Sequence, residues 1–148
     1  MAINFFEEEI KSSLAKKRIT KQWLKLIAEK KGYKVKDLNY IFCSDEYLLD
    51  INIQYLNHDT YTDIVTFDQS EYEKEIEGDI YISIDRIKEN SKTLLTTYNE
   101  ELLRVLAHGL LHLCGLKDKT EEEKKEMRQE EDTALSLFPT TVPRGTVE

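Results

Sequence analysis

Cysteine is scarce in this chain. Cys43 and Cys114 are the only two in 148 residues, too few for a disulfide framework, so the expected setting is a reducing, cytoplasmic one. Both prolines, Pro139 and Pro143, fall in the last ten residues, so no proline interrupts a helix or strand before them. The five glycines are scattered singly, with no Gly/Ser linker, low-complexity tract or repeat. No apolar run approaches the length of a membrane span. Residues 1–9 are acidic and lack the basic, apolar, then small-residue order of a signal peptide. A secreted disulfide scaffold, a membrane protein and a repeat array are therefore not expected. What remains is one domain over residues 1–138, large enough for a single core, with residues 139–148 as a flexible tail.

The net charge of −8 argues against a polyanionic partner until its distribution is considered. From Lys11 to Lys36 there are ten Lys or Arg and one acid, Glu29, a local charge of +9 that leaves −17 for the remainder. Such asymmetry fits either an RNA-facing basic segment or the solvated face of an amphipathic helix.

The apolar pattern yields an α/β (α+β) reading. A short first strand is expected at residues 3–6. Thr20 is the expected cap of a helix running to Gly32, with Trp23, Leu24, Ile27 and Ala28 inside. Residues 37–43 alternate as a strand, and Ser44 caps a helix with Leu48, Leu49, Ile53 and Leu56 on its apolar side. After a polar loop at 57–62 come strands at 63–67 and 76–84. Asp85 begins a helix carrying Ile87, Leu94 and Leu95. A further helix begins at Asn99 and buries Leu102, Leu103, Leu106 and Leu110. Thr120 and Glu123 form a capping box for a last helix containing Met127, Ala134 and Leu137. The sum is a small, mixed, four-stranded sheet with about five helices, without strict βαβ alternation.

Residues 108–118 read HGLLHLCGLKD. Four residues is close to one helical turn, so His108 and His112 project from one face. Gly115 suits a left-handed helix end that folds the chain back and delivers Asp118 to the same point. Two imidazoles and a carboxylate, with a fourth position open, form the ligand set of a catalytic zinc site holding one Zn²⁺ per chain. Zinc lowers the pKa of a water toward neutrality and so supplies a nucleophile. The metalloprotease signature places a glutamate after its first histidine as general base; here Gly109 stands there, read as leaving open space beside the metal for a phosphodiester. No general base is assigned. His58 is expected to be an exposed loop histidine, Cys114 and Cys43 to be inert core thiols, and Glu121 to Glu123 to be a helix's first turn.

These residues resemble the YbeY-type endoribonucleases, bacterial rRNA maturation factors that bind zinc. Asn52 and Tyr55, then Asp59, then Thr62-Asp63-Ile64-Val65-Thr66-Phe67 are similar to the family's LN-x-x-Y stretch preceding TDVLSF. Gly78-Asp79-Ile80 is similar to its GDI strand, and His108 through Gly115 to its HGxLHLxG signature. The blocks occur in order, and the resemblance covers nearly the whole chain. It implies a single-strand-specific endoribonuclease acting on rRNA (16S rRNA 3′ end maturation), with the small ribosomal subunit as setting. Two positions depart from the pattern. Asp118 stands where the family has a third histidine, and Leu56 where it carries an arginine suited to phosphate, so another cation must serve. The alternatives are a zincin-type metalloprotease and a non-catalytic ribosome assembly factor with a structural zinc.

Overall fold

In the computed structural model, which describes residues 2–12, 14–56 and 62–139, the strand β2 (Lys34–Cys43) organises the rest. Leu38, Tyr40 and Phe42 alternate onto one face and are fully buried. A register shift between Val35 and Asp37 lets Val35 join that face despite its odd number. Strand β1 (Ala2–Glu8) pairs with β2 in parallel, and so does β4 (Glu75–Ser83) on its other side. Strand β3 (Ile64–Asp68) pairs antiparallel with β4, giving the order β1-β2-β4-β3. With α1 (Lys17–Lys30), α2 (Asp45–Leu56), α3 (Ile84–Thr93), α4 (Tyr98–Leu113) and α5 (Glu121–Ser136), the described residues form the expected α+β domain of a four-stranded mixed sheet and five helices.

The main core lies on the Leu38–Tyr40–Phe42 face. Ile76, Ile80 and Ile82 of β4 meet Trp23 and Ile27 of α1, Ile87 of α3, and Leu102, Leu106 and Leu110 of α4. Two buried polar ring groups are satisfied by backbone, as burial requires. The Tyr40 hydroxyl donates to the Leu106 carbonyl at 2.9 Å, and Trp23 Nε1 donates to the Ala134 carbonyl at 2.7 Å. The first bond docks α4 on the sheet; the second ties α5 to α1. A smaller cluster of Cys43, Leu48 and Val65 seats α2 on the opposite face.

Several boundaries differ from expectation. Thr20 does not cap α1: Lys16 does, in a left-handed conformation, and the buried Thr20 hydroxyl donates back to the Lys16 carbonyl at 2.9 Å. A threonine there satisfies itself against the preceding turn, so its capping preference was misleading. In α2 only Leu48 and Asn52 are buried, while Ile53 and Leu56 are exposed, because this helix covers a narrow patch of sheet. Ser83 rather than Asp85 opens α3, accepting from the Arg86 amide, and Leu94 and Leu95 lie beyond its end and are exposed. Thr97 caps α4, accepting from the Glu100 amide. The Thr120–Glu123 capping box is present as read. His58, Asp59 and the tail after Pro139 lie outside the described residues.

The Gly78-Asp79-Ile80 block has a packing explanation. A Cβ on Gly78 would stand 2.4 Å from the Phe67 carbonyl oxygen, so the β3–β4 pair closes only around glycine. Asp79 accepts from Asn39, which accepts from Asn4, both at 3.0 Å, a polar ladder across three strands. Gly78→Ala is expected to destabilise by about 1–3 kcal/mol through the forced backbone shift. Urea unfolding checks this by a lowered midpoint; an unchanged midpoint refutes the packing explanation.

Candidate metal centre

The centre is built at the C-terminal end of α4, whose outer face carries the stripe Glu101, Arg104, His108 and His112 at helical spacing. After Leu113 the chain reverses: Gly115 has φ of +96°, its amide donates to the His112 carbonyl at 2.9 Å, and the Leu116 amide donates to Leu111 at 3.1 Å. The left-handed glycine therefore has the role read from the sequence. The reversal sets the Leu116 carbonyl 3.0 Å from His112 Nδ1 and brings Asp118 Oδ2 to 3.4 Å from Nε2 of both histidines. All three expected residues thus converge, their candidate ligand atoms within 4.8 Å of one another, and all are partly exposed, the histidines at 21% and 26% and Asp118 at 37%.

Two residues that sequence reasoning missed hold His108. Glu131 of α5, buried at 6% exposure, stands 2.6 Å from His108 Nδ1. Arg104 in turn donates to Glu131 at 2.9 Å and to Asp132 at 2.6 Å. Burial pushes the Glu131 carboxyl up, but the bonds from His108 and Arg104 outweigh it and leave the group below the usual range. Burial likewise pulls His108 down, and Glu131, with Asp118 and Asp63 behind it, raises it overall. An ionised Glu131 fixes the proton on Nδ1 and turns the Nε2 lone pair toward Asp118. A sequence signal for Glu131 existed. Met127, Glu131 and Ala134 are the buried stripe of α5 at i, i+4, i+7, so a carboxylate stands in an apolar row.

Asp63, read as a strand start and as part of the Thr62–Phe67 block, stands just before β3 and lines a cavity of about 330 Å³ with Glu101, Arg104, Arg128, His108 and Asp118. Burial raises its carboxyl, partly offset by the charge of His108. Burial also raises Glu101. Cys114 is buried at the end of α4, its thiol pushed up to about 12 chiefly by burial, and Cys43 is held at about 12 in the same way. Both are the inert core thiols expected, and Glu121 to Glu123 form the first turn of α5.

Gly109 is a correction. The position does not open beside the histidines but faces the sheet, where an added Cβ would lie 3.0 Å from Cδ1 of both Ile64 and Ile80. One residue on from His108 is about 100° around the helix, which turns it into the core. The glycine lets α4 sit close on β3 and β4. None of the ten cations between Lys11 and Lys36 lines this cavity or the one beside His112; Lys31 pairs with Glu130 at 2.7 Å, and Lys36 with Glu77 at 3.6 Å.

Residues 2–138 match the family model of the endoribonuclease YbeY. The chain belongs to the YbeY endoribonuclease family. It is 56% identical over 135 residues to the endoribonuclease YbeY of Cytophaga hutchinsonii, covering 91% of this chain and 94% of that protein. The YbeY of Parabacteroides distasonis is 48% identical over 139 residues, covering 94% and 97%. The solution structure of TM1509 from Thermotoga maritima superposes with a TM-score of 0.65 at 26% identity, covering 93% of this chain and 89% of that one. Among the described residues, no helix of this YbeY-family chain is long and apolar enough to cross a membrane.

Proposed function

We propose that this chain is a zinc-dependent endoribonuclease that hydrolyses phosphodiesters of single-stranded RNA, with His108, His112 and Asp118 as the metal ligands. The observation that carries the metal reading is the pair of 3.4 Å separations between one Asp118 oxygen and both Nε2 atoms. Zn–N and Zn–O bonds of about 2.0–2.1 Å at tetrahedral angles require ligand atoms roughly 3.3–3.4 Å apart. Both Nδ1 atoms are engaged, by Glu131 and by the Leu116 carbonyl, the outer arrangement that orients histidine ligands. Among the described residues three ligands rather than four converge, which leaves a position for substrate, the feature that separates a catalytic from a structural site. A divalent cation held there supplies Lewis acidity and a nucleophile at neutral pH.

Arg104 is held by two carboxylates, so Arg128, exposed at the rim of the same cavity, is the arginine available to a phosphate. It serves in place of the arginine that Leu56 replaces. The Lys11–Lys36 segment supplies outer phosphate contacts, and RNA binding accordingly weakens with salt. The proposed setting is cytoplasmic rRNA processing, at the 3′ end of 16S rRNA in the small ribosomal subunit. The metalloprotease reading loses its room for a base: a glutamate at position 109 would be forced between Ile64 and Ile80.

The test is cleavage of a labelled single-stranded RNA before chelation, after it, and after zinc is restored. Activity is expected to vanish and return. Cleavage indifferent to the chelator contradicts the proposal, and casein cleavage without RNA cleavage supports the protease instead.

A further inference from the structure

A second cavity, of about 470 Å³, opens beside His112, and its walls are of different chemistry. Two tyrosines, Tyr33 and Tyr72, line it. The Lys74 ammonium lies 4.8 Å from the Tyr33 ring centroid. Tyr72 is 67% exposed, and among the described residues no other ring stacks on it. An aromatic ring left in water contributes little to folding and is available to a flat ligand. Asp68, Glu73 and Glu75 line the same space. Asp68 already accepts from the Ser70 amide and hydroxyl at 2.9 and 2.7 Å, which leaves the two glutamates for other donors.

Three carboxylates against one lysine repel a phosphate. They do not form a metal cluster either, since the one such group among the described residues is the triad. The matching ligand is therefore flat, uncharged and bordered by N–H donors. We propose that this cavity is a nucleobase subsite, in which Tyr72 offers a stacking face, Tyr33 with Lys74 over its ring forms the opposite wall, and the glutamates accept from amino or imino N–H groups. Bases with an exocyclic amino group are favoured there over uracil, which lacks one. The inference rests on the RNA-cleaving reading: His112 belongs both to the triad and to this wall, so a strand with a phosphate at the triad has a neighbouring base beside Tyr72. The acidic lining then fixes the strand's orientation, because it admits the base and excludes the backbone.

The experiment measures binding of a short single-stranded RNA, intact or made abasic at each position in turn, by fluorescence anisotropy with chelator present so that no turnover intervenes. Tyr72→Ala is expected to weaken binding of intact RNA by about tenfold, the size of one lost base–aromatic stack, and Tyr72→Phe to leave it unchanged. One abasic position is expected to produce a similar loss in wild type and none in Tyr72→Ala. Since Tyr72 is exposed, both variants retain the fold, which an unchanged melting temperature confirms. Equal binding by wild type and Tyr72→Ala overturns the subsite, as does an abasic penalty that persists in the variant. A wild type that shows the penalty but, in a parallel assay with zinc supplied and no chelator, cleaves no RNA refutes the nuclease reading and leaves the subsite standing. One that cleaves RNA without any penalty refutes the subsite alone.

Discussion

Replacing His112 with alanine is expected to lower RNA cleavage by about 1,000-fold or more while leaving the protein folded. The several kcal/mol of transition-state stabilisation that a bound metal supplies correspond to a factor of that size. The fold is expected to survive because the ring is partly exposed, at 26%, and its loss removes one hydrogen bond, to the Leu116 carbonyl, worth about 1 kcal/mol. Glu131→Gln provides the contrast. It keeps the shape and a hydrogen-bonding oxygen near His108 but removes the charge, so metal affinity falls by about 10–100-fold rather than vanishing. Initial rates at saturating zinc separate the two: Glu131→Gln recovers much of its activity, whereas His112→Ala does not. A His112→Ala protein within tenfold of wild type contradicts the assignment.

Trp23→Ala is expected to cost about 3–5 kcal/mol, a large share of the 5–15 kcal/mol that holds a domain of this kind together. Trp23 is 2% exposed, and its ring meets Phe138 edge-on at 5.1 Å. Its indole N–H is also the bond from α1 to the Ala134 carbonyl of α5. The truncation therefore leaves a cavity and removes the bond between the two helices at once, the Ala134 carbonyl keeping only the Leu137 amide at 3.0 Å. The effect reaches the centre, because α5 carries Glu131 to His108. Urea unfolding monitored by circular dichroism is expected to read the loss as a lower midpoint, and under the proposed metal site the surviving folded protein is expected to bind a divalent ion more weakly. A change below 1 kcal/mol contradicts the role given to this residue.

The triad was legible in the sequence because its geometry is local. His108 and His112 share a helix, and Asp118 is six residues from the second of them, with a glycine between that can only reverse the chain. The capping box at Thr120 was legible for the same reason. Glu131 was not, since its partner lies 23 residues away on another helix and pairing of that kind depends on how α4 and α5 pack. Its one trace is a charged residue between Met127 and Ala134. Gly109 was misread through its neighbours. Beside a ligand in sequence it looked like part of the cleft, but a helix turns successive residues by about 100° and delivers it to the sheet. The sheet order was unreadable from alternation, which fixes the faces of a strand and says nothing of which strand lies beside it. The extent of α2 burial was equally hidden, because Ile53 and Leu56 are apolar by composition and exposed only because little sheet lies beneath them.

The most direct test of the centre is the metal content of the purified chain, measured by elemental mass spectrometry alongside RNA cleavage by the same preparations. Wild-type protein is expected to carry one divalent ion per chain and to cleave single-stranded RNA. His108→Ala and Asp118→Ala are expected to lose both together. Wild-type protein that carries no metal and still cleaves RNA at full rate contradicts the account.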